Sequence, residues 1–358
     1  MDLKLELRYY YTTLNECEKR FYILMAESFF QRKFKIIYGM FPEFAPTGGE
    51  FDAMPRFFYE MGEYPDFTKV YFSVIWDFPE LFYVSNQKIR YDEKGYYLEF
   101  GGSPNDYTDG EIDEINAWLD SFYHKFDHIT DDFELEVAVH DYILKSFDYE
   151  YENDKLSGRS FDEIFTVVGF MKTGEGVCAA FARLMQYVLL RRDIPVVNLF
   201  ADAYNEDGTL GDSHSWLAVK LDGNYYHVDI TFDEADTKDP TLPQHCYFNI
   251  TDDEIKESRA FSHEEYPSIV CNCTDYYYYR KMGLYFEDCE GLKSKYKEFE
   301  NANRGCGETR YFYIWTSEKL SCADVTATVK NATDKDVVAD GTVYEYEYGY
   351  YTFEIAFK

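Results

Sequence analysis

The chain has 358 residues, 46% of them apolar, and a formal net charge of −32. That apolar fraction is enough to bury at least one core and too high for a disordered chain. The charge repels phosphate backbones and anionic headgroups, which argues against nucleic acid and membrane surfaces as partners.

No run approaches the ~18 consecutive apolar residues of a membrane span, so no membrane insertion is expected. Met1-Asp2-Leu3-Lys4 is not followed by the apolar h-region of a secretory leader. As written the sequence suits the cytoplasm; a preceding leader would place it outside, and localisation stays open. The 36 Tyr and 31 Phe supply core volume and suit half-exposed strands. The 8 Cys show no CxxC pair and no disulfide rhythm, which predicts free thiols in a reducing compartment. Cys271-Asn272-Cys273 is one residue too tight for a zinc knuckle, and no metal or cofactor is expected.

Residues 1–105 read as an α/β region without a chemical motif. A helix is predicted from Thr13, with Glu16 completing a capping box, and its apolar positions run to Phe29. Leu81-Phe82-Tyr83-Val84 and Tyr96-Tyr97-Leu98-Glu99-Phe100 read as strands around an Asp92-Glu93-Lys94-Gly95 turn. Residues 106–265 open with a second capping box, Thr108 to Glu111, and Ile112, Ile115, Trp118, Leu119, Phe122 and Phe126 follow at helical spacing. A further helix is predicted from about Asp131 to Lys145, and polar residues 148–160 lead out of it. Residues 266–358 read as a small α/β appendage. It has four successive tyrosines from Tyr276, a Lys- and Glu-rich helix near 289–301, and a terminal alternation from Val343 to Tyr348.

Within the central stretch, Thr173-Gly174-Glu175-Gly176-Val177-Cys178 puts a cysteine directly after a glycine-rich bend. A helix is predicted beyond it, with Val177, Phe181, Leu184, Met185, Val188 and Leu189 on one apolar face. A thiol in a first helical turn lies among unpaired N–H groups at the positive end of the dipole, and both favour the thiolate. The same N–H groups can hold an oxyanion. Alone, a cysteine on a buried helix is also simply a small hydrophobe.

Downstream, two alternating runs flank Asp222-Gly223, a two-residue hairpin signal. With that turn Leu221 faces Asn224, Trp216 faces Asp229 and His214 faces Thr231. His214, Trp216, Ala218, His227 and Asp229 then share one side. Ser215, Leu217, Val219, Val228 and Ile230 take the other, the predicted core face. His214 and Asp229 become diagonal neighbours whose side chains can meet, and a carboxylate there can fix an imidazole's tautomer and support its charged form. A three-residue loop would move Asp229 to the opposite face.

The pattern Gly-x-x-Val-Cys-x-x-Phe-Ala, then His-x-Trp, then Asp-Gly-x-Tyr-Tyr-His-Val-Asp-Ile-Thr-Phe-Asp resembles the transglutaminase-like superfamily, in its bacterial branch. Val139-His140-Asp141-Tyr142 and Tyr247-Phe248-Asn249-Ile250-Thr251-Asp252 resemble its flanking segments, so the likeness spans about residues 131–268. It implies an α+β fold with a papain-like core, in which the nucleophile's helix packs on an antiparallel sheet and smaller α/β regions flank it. It also implies roles: Cys178 as nucleophile, His214 as general acid/base, Asp229 as orienting carboxylate. Ala180 and Ser215 depart from the usual Gly and Ala. Tyr149 and Tyr151 are the candidates for an auxiliary oxyanion donor.

The remaining residues leave alternatives open. Trp216 either stacks on substrate or walls the cleft, and His227 lines the cleft or holds structure. Cys178, His214, His227 and Asp229 together could make a zinc site, though without the usual spacing. Asp233 reads as a turn or solvent residue, and Asp252, Asp253 and Glu254 as a helix start. The expected function is thioester-forming acyl transfer on peptide or protein amides, with hydrolysis placed ahead of lysine crosslinking. A binding module for protein or cell-wall glycan that has lost activity is the reading from another class. Oligomeric state is open.

Overall fold

A computed structural model describes residues 2–38, 53–54, 66–84, 97–99, 107–152, 156, 159–205, 207–235, 244–317, 319–333, 343–345 and 350–357. Residues 1–272 pack as one compact unit and 273–358 as a second. Among the described residues no helix is long and apolar enough to cross a membrane.

The first unit begins with α1 (Tyr9–Thr12) and α2 (Glu16–Phe30). The latter starts three residues beyond the expected Thr13, because Asn15 makes the capping box. Its side chain accepts the Glu18 N–H, and the Glu18 carboxylate accepts the Asn15 N–H. Thr13 instead donates its hydroxyl to the Tyr10 carbonyl at the end of α1. Strands β1 (Lys35–Tyr38), β2 (Ala53–Met54) and β3 (Tyr97–Glu99) form a small sheet in the order β2-β1-β3. The expected turn at 92–95 lies outside the described residues.

Helix α3 (Phe67–Asp77) packs on α2. The run 81–84 after it is not a strand. Its four residues are buried, and local turns join the Leu81 N–H to Phe78 and the Val84 N–H to Leu81. Burial made this run read as a strand, yet its backbone is satisfied without a sheet partner.

Next come α4 (Asp109–Tyr123), with the expected Thr108–Glu111 capping box, and α5 (Asp132–Ser146), capped by Asp131. Strand β4 (Asp148–Tyr149), α6 (Arg159–Glu163), α7 (Val167–Thr173) and β5 (Glu175–Gly176) lead into α8 (Cys178–Arg191). Every residue of α8 from Ala180 to Leu190 is buried, Arg183 and Gln186 included. A helix buried all round is the centre of a core rather than its cover, so the single apolar face read from sequence understates its position.

The main sheet is antiparallel in the order β6-β7-β8-β9: β6 (Val196–Tyr204), β7 (Leu210–Leu221), β8 (Asn224–Val228) and β9 (Phe248–Ile250). Helix α8 packs against β6 and β7. The hairpin has the expected register from Leu221↔Asn224 to Leu217↔Val228. Asp222 and Gly223 both have positive φ, 46° and 86°, the geometry that Asp-Gly supplies at low strain. Two expectations fail beyond Val228. The chain leaves the sheet at Asp229, whose N–H goes to the Tyr247 carbonyl, and enters α9 (Ile230–Ala235). The pairs Trp216–Asp229 and His214–Thr231 therefore do not form. Both faces of β7 are buried from His214 to Val219, so there is no single core face. Helix α10 (Asp252–Ile255), with Thr251 and Glu254 as its capping box, ends the elements of this unit.

The second unit contains α11 (Tyr278–Lys281), β10 (Tyr285–Phe286), α12 (Cys289–Asn303), β11 (Thr309–Thr316), α13 (Cys322–Ala332), β12 (Val343–Glu345) and β13 (Tyr350–Ala356). Its sheet runs β10-β11-β13-β12. Leu292, Tyr296, Phe312, Ile314, Val325 and Phe353 fill a core of its own.

Candidate active site

Cys178 is the first residue of α8, and Val177 is its N-cap in extended backbone. Two glycines set that start. Gly174 ends α7 in the left-handed region at φ +79°, which glycine adopts without strain. Gly176 lies so close to the helix that a Cβ there would meet the Ala180 Cβ at 2.8 Å and the Phe170 ring. The Cys178 thiol is half-buried, at the end of a fourteen-residue helix where the first N–H groups lack intrahelical partners.

His214, on β7, is 7% exposed, and Asp229, at the head of α9, is fully buried. His214 Nε2 meets Asp229 Oδ2 at 2.8 Å. The diagonal relation inferred from the hairpin thus survives, although Asp229 has left the strand. Burial disfavours the charged imidazole, but the Asp229 carboxylate, their hydrogen bond and the neighbouring Cys178 thiol outweigh it and lift His214 to a pKa of about 9. With Nε2 committed to Asp229, Nδ1 is the ring nitrogen left to face the sulfur. Phe232 closes the imidazole edge-on, with ring centroids 5.1 Å apart.

Arg259 is a third partner that the sequence reading missed. It is 1% exposed, and its Nη2 donates to Asp229 Oδ2 at 2.5 Å. Its guanidinium lies 3.5 Å from the Phe232 ring centroid. Burial would raise the Asp229 carboxyl, yet His214 and Arg259 hold it down at about 2. The signal available in sequence was slight: one arginine in a segment otherwise rich in acid.

Tyr149 pairs with Gly176 across β4 and β5, which brings its hydroxyl to the Cys178 backbone N–H. Burial, then the nearby Cys178 and Tyr151, raise the phenol to about 12. It is a neutral hydroxyl at physiological pH. Tyr151, the other candidate, is 70% exposed, with its ring 4.8 Å from that of Tyr149.

Trp216 and His227 do not line a cleft. They are 1% and 0% exposed, and the Trp216 Nε1–H donates to His227 Nδ1 at 3.0 Å. His227 Nε2 then faces Asp252 Oδ1 at 2.9 Å. The Trp216 ring lies nearly parallel to His214, 12° between planes and 6.3 Å between centroids. A second His–Asp pair therefore stands behind the first, with Trp216 between them. This corrects the substrate-contact reading of both residues, and it divides the four members of the imagined zinc site between two hydrogen-bonded networks.

Asp233 is also corrected. It is fully buried, and its Oδ2 meets His140 Nε2 at 3.0 Å while its Oδ1 accepts the Tyr247 N–H at 2.9 Å. Asp229 and Asp233, one turn apart around α9, hold two different histidines.

Two clusters among the described residues have the composition of a metal site: His140, Asp141 and His245, and His227, Asp252 and Cys271. Protons satisfy both. His227 accepts from Trp216 at Nδ1, so its own proton sits on Nε2 toward Asp252. A metal at Nε2 would require an imidazolate. Burial opposes charge on His140, but its hydrogen bonds to Asp141 and Asp233 raise it to about 9. Both of its ring nitrogens already face carboxylates, Asp141 at 3.3 Å and Asp233 at 3.0 Å. We assign no metal to either.

Residues 121–254 match the family model described as a transglutaminase-like domain. Comparison with curated proteins gives no match. Among solved structures the chain is similar to a candidate cysteine protease from Cytophaga hutchinsonii, with 20% identity over 32% of this chain and 37% of that one and a TM-score of 0.25. It is similar to a TGase, with 11% identity over 37% and 35% and a TM-score of 0.30. It is also similar to the periplasmic domain of TgpA from Pseudomonas aeruginosa, with 22% identity over 34% and 44% and a TM-score of 0.24. The chain thus spans under half the length of each of these structures. The stretch that carries α8, the β7–β8 hairpin and the His214–Asp229 pair is the part of the chain that matches the transglutaminase-like domain model.

Proposed function

We propose that this protein is a cysteine-dependent acyl-transfer enzyme acting on peptide or protein amides, with hydrolysis as its principal outcome. The observation that carries the reading is the buried His214–Asp229 pair, clamped by Arg259, beside a thiol at the first position of α8. An imidazole raised to about 9 is protonated at neutral pH, and a charged imidazole beside a cysteine is an arrangement that activates a sulfur nucleophile.

The Cys178 sulfur adds to the amide carbonyl, and the carbonyl electron pair moves to oxygen. The N–H groups of the first turn of α8 and the Tyr149 hydroxyl are the donors suited to that oxyanion. Collapse breaks the C–N bond, and the leaving amine takes the proton held on His214, leaving a thioester. The neutral imidazole next draws a proton from water, hydroxide adds to the thioester, and collapse of that adduct releases the carboxylic acid and returns the sulfur and imidazolium to their starting state. A lysine amine in place of that water gives an isopeptide crosslink by the same steps.

The test is mass spectrometry on a peptide and casein library, with and without a primary amine such as cadaverine. Cleavage or Gln deamidation dependent on Cys178 supports the hydrolase, and amine incorporation exceeding hydrolysis supports the crosslinker. No Cys178-dependent product, with iodoacetamide labelling Cys178 no faster than the other thiols, leaves the inactive binding module as the reading.

A further inference from the structure

Among the described residues of the first unit, one largely buried cation has no ion-pair partner. Arg183, on α8, is 9% exposed, and among the described residues its guanidinium makes no ion pair or hydrogen bond. The other arginines described as buried or half-buried in this unit have acceptors. Arg8 donates to the Leu3 and Asp77 carbonyls, Arg192 to the Ile129 carbonyl, and Arg259 to Asp229. Burial pushes the Arg183 guanidinium down to about 10. An unpaired charge held out of water is among the most destabilising features a fold can contain, and it persists where something supplies the opposite charge.

Arg183 lines a cavity of about 310 Å³ between α8, α3 and the turns at 81–84. The walls are aromatic: Tyr71, Phe72, Trp76, Phe82 and Tyr107. Phe72 and Trp76 stack on one another with centroids 5.2 Å apart. Polar groups also take part in the lining. Thr166 is already engaged, accepting the Val168 N–H and donating to the Glu163 carbonyl. The acidic group on the wall is Asp162, whose carboxyl is raised by burial and by Glu163. The cavity has the volume of a small-ligand pocket, a lining more apolar than polar, and Arg183 as the positive charge that sets orientation.

From this we infer that the cavity is a binding site for a small carboxylate with a flat aromatic body, its carboxylate on the Arg183 fork and its ring between the aromatic walls. A guanidinium receives a carboxylate through two parallel N–H···O bonds, and the rings exclude water around the pair. This site is built on α8, the helix that Cys178 begins, but it does not depend on the chemistry proposed for that thiol.

The test uses the full chain, isothermal titration calorimetry and thermal unfolding, with benzoate, 3-phenylpropionate and indole-3-acetate as probes and their primary amides as controls. The acids are expected to bind and raise Tm, and the amides to bind at least ~10-fold more weakly. Arg183→Met should weaken acid binding by at least ~30-fold. Without ligand it should leave Tm equal or higher, because it removes an unanswered buried charge. Arg183→Lys, which keeps the charge and loses the fork, should fall between the two. Acids and amides binding alike, no acid binding at millimolar concentration, or a sharp loss of Tm in Arg183→Met would each overturn the assignment. The last outcome would show that the protein itself supplies the anion.

Discussion

Arg259 and His214 meet on a single oxygen: Oδ2 of Asp229 takes a hydrogen bond from Nη2 of the arginine at 2.5 Å and lies 2.8 Å from Nε2 of the histidine. All three groups are buried. The arginine therefore fixes where the carboxylate sits, and its charge acts on the imidazole with the opposite sign to that of Asp229.

Arg259→Met is expected to move the upper limb of the pH profile of Cys178 alkylation to higher pH. The sign follows from the charges. Arg259 repels the imidazolium, so its loss raises the His214 pKa further above about 9. The stability cost should be about 3 kcal/mol, the scale for breaking a buried ion pair. Iodoacetamide rates between pH 5 and 10 (roughly the span of the relevant pKa values) check this. An unmoved limb would mean the arginine acts through packing alone.

Replacing Asp229 by Asn should give a pH-dependent loss of stability. The folded His214 pKa of about 9 exceeds its unfolded value, so that contribution is complete below ~6.5 and is lost as pH rises through about 9. Asp229, held down at about 2, contributes above ~4 and loses this as pH falls through about 2. Both are in force between roughly pH 4 and 6.5. The Tm difference between wild type and Asp229→Asn should be greatest there, reflecting on the order of 3 kcal/mol from the histidine. It should shrink toward pH 9 and persist in part, because the Arg259 pairing is lost at any pH. A difference that grows toward alkaline pH would contradict the assignment.

Trp216→Phe tests the second His–Asp pair. It removes the indole N–H and leaves a buried imidazole nitrogen without its donor, at a cost of about 1–3 kcal/mol. Because Trp216 stands behind His214 rather than in a cleft, a reduced Tm and a lower labelling rate of Cys178 are expected, with KM for a peptide substrate unchanged. A raised KM at unchanged Tm would restore the substrate-contact reading.

What was legible follows the range over which each signal acts. The Asp222-Gly223 turn is local, and it fixed the hairpin register from Leu221 to Val228. The Thr108 and Asp131 caps are local as well, and both helices begin where those side chains dictate. Asn15 was overlooked because Thr13 offers the same chemistry two residues earlier; the competition is settled by which turn α1 occupies. Leu81 to Val84 misled because burial of an apolar run does not reveal whether its backbone bonds go to a sheet or to a turn. Asp229 could be paired with His214 because a hairpin joins them. Arg259, Asp252 and Asp233 reach their partners only through tertiary packing across 30, 25 and 93 residues, which no periodicity reports. The two-histidine arrangement around Trp216 was out of reach for the same reason.

Tyr149→Phe addresses the oxyanion. The Tyr149 hydroxyl faces the Cys178 backbone N–H, beside the sulfur proposed to attack the carbonyl. Its pKa of about 12 keeps it a neutral donor through the working range. A group that donates mainly to the developing oxyanion lowers kcat and leaves KM nearly constant. The expected loss is ~10- to 1,000-fold in kcat, with the ring itself retained against Phe181 and Tm shifted little. Iodoacetamide alkylation, which generates no oxyanion, should be almost unaffected, and this separates the role from an effect on the thiolate. If alkylation slows in parallel with turnover, Tyr149 tunes the Cys178 sulfur, and the oxyanion rests on the α8 backbone alone.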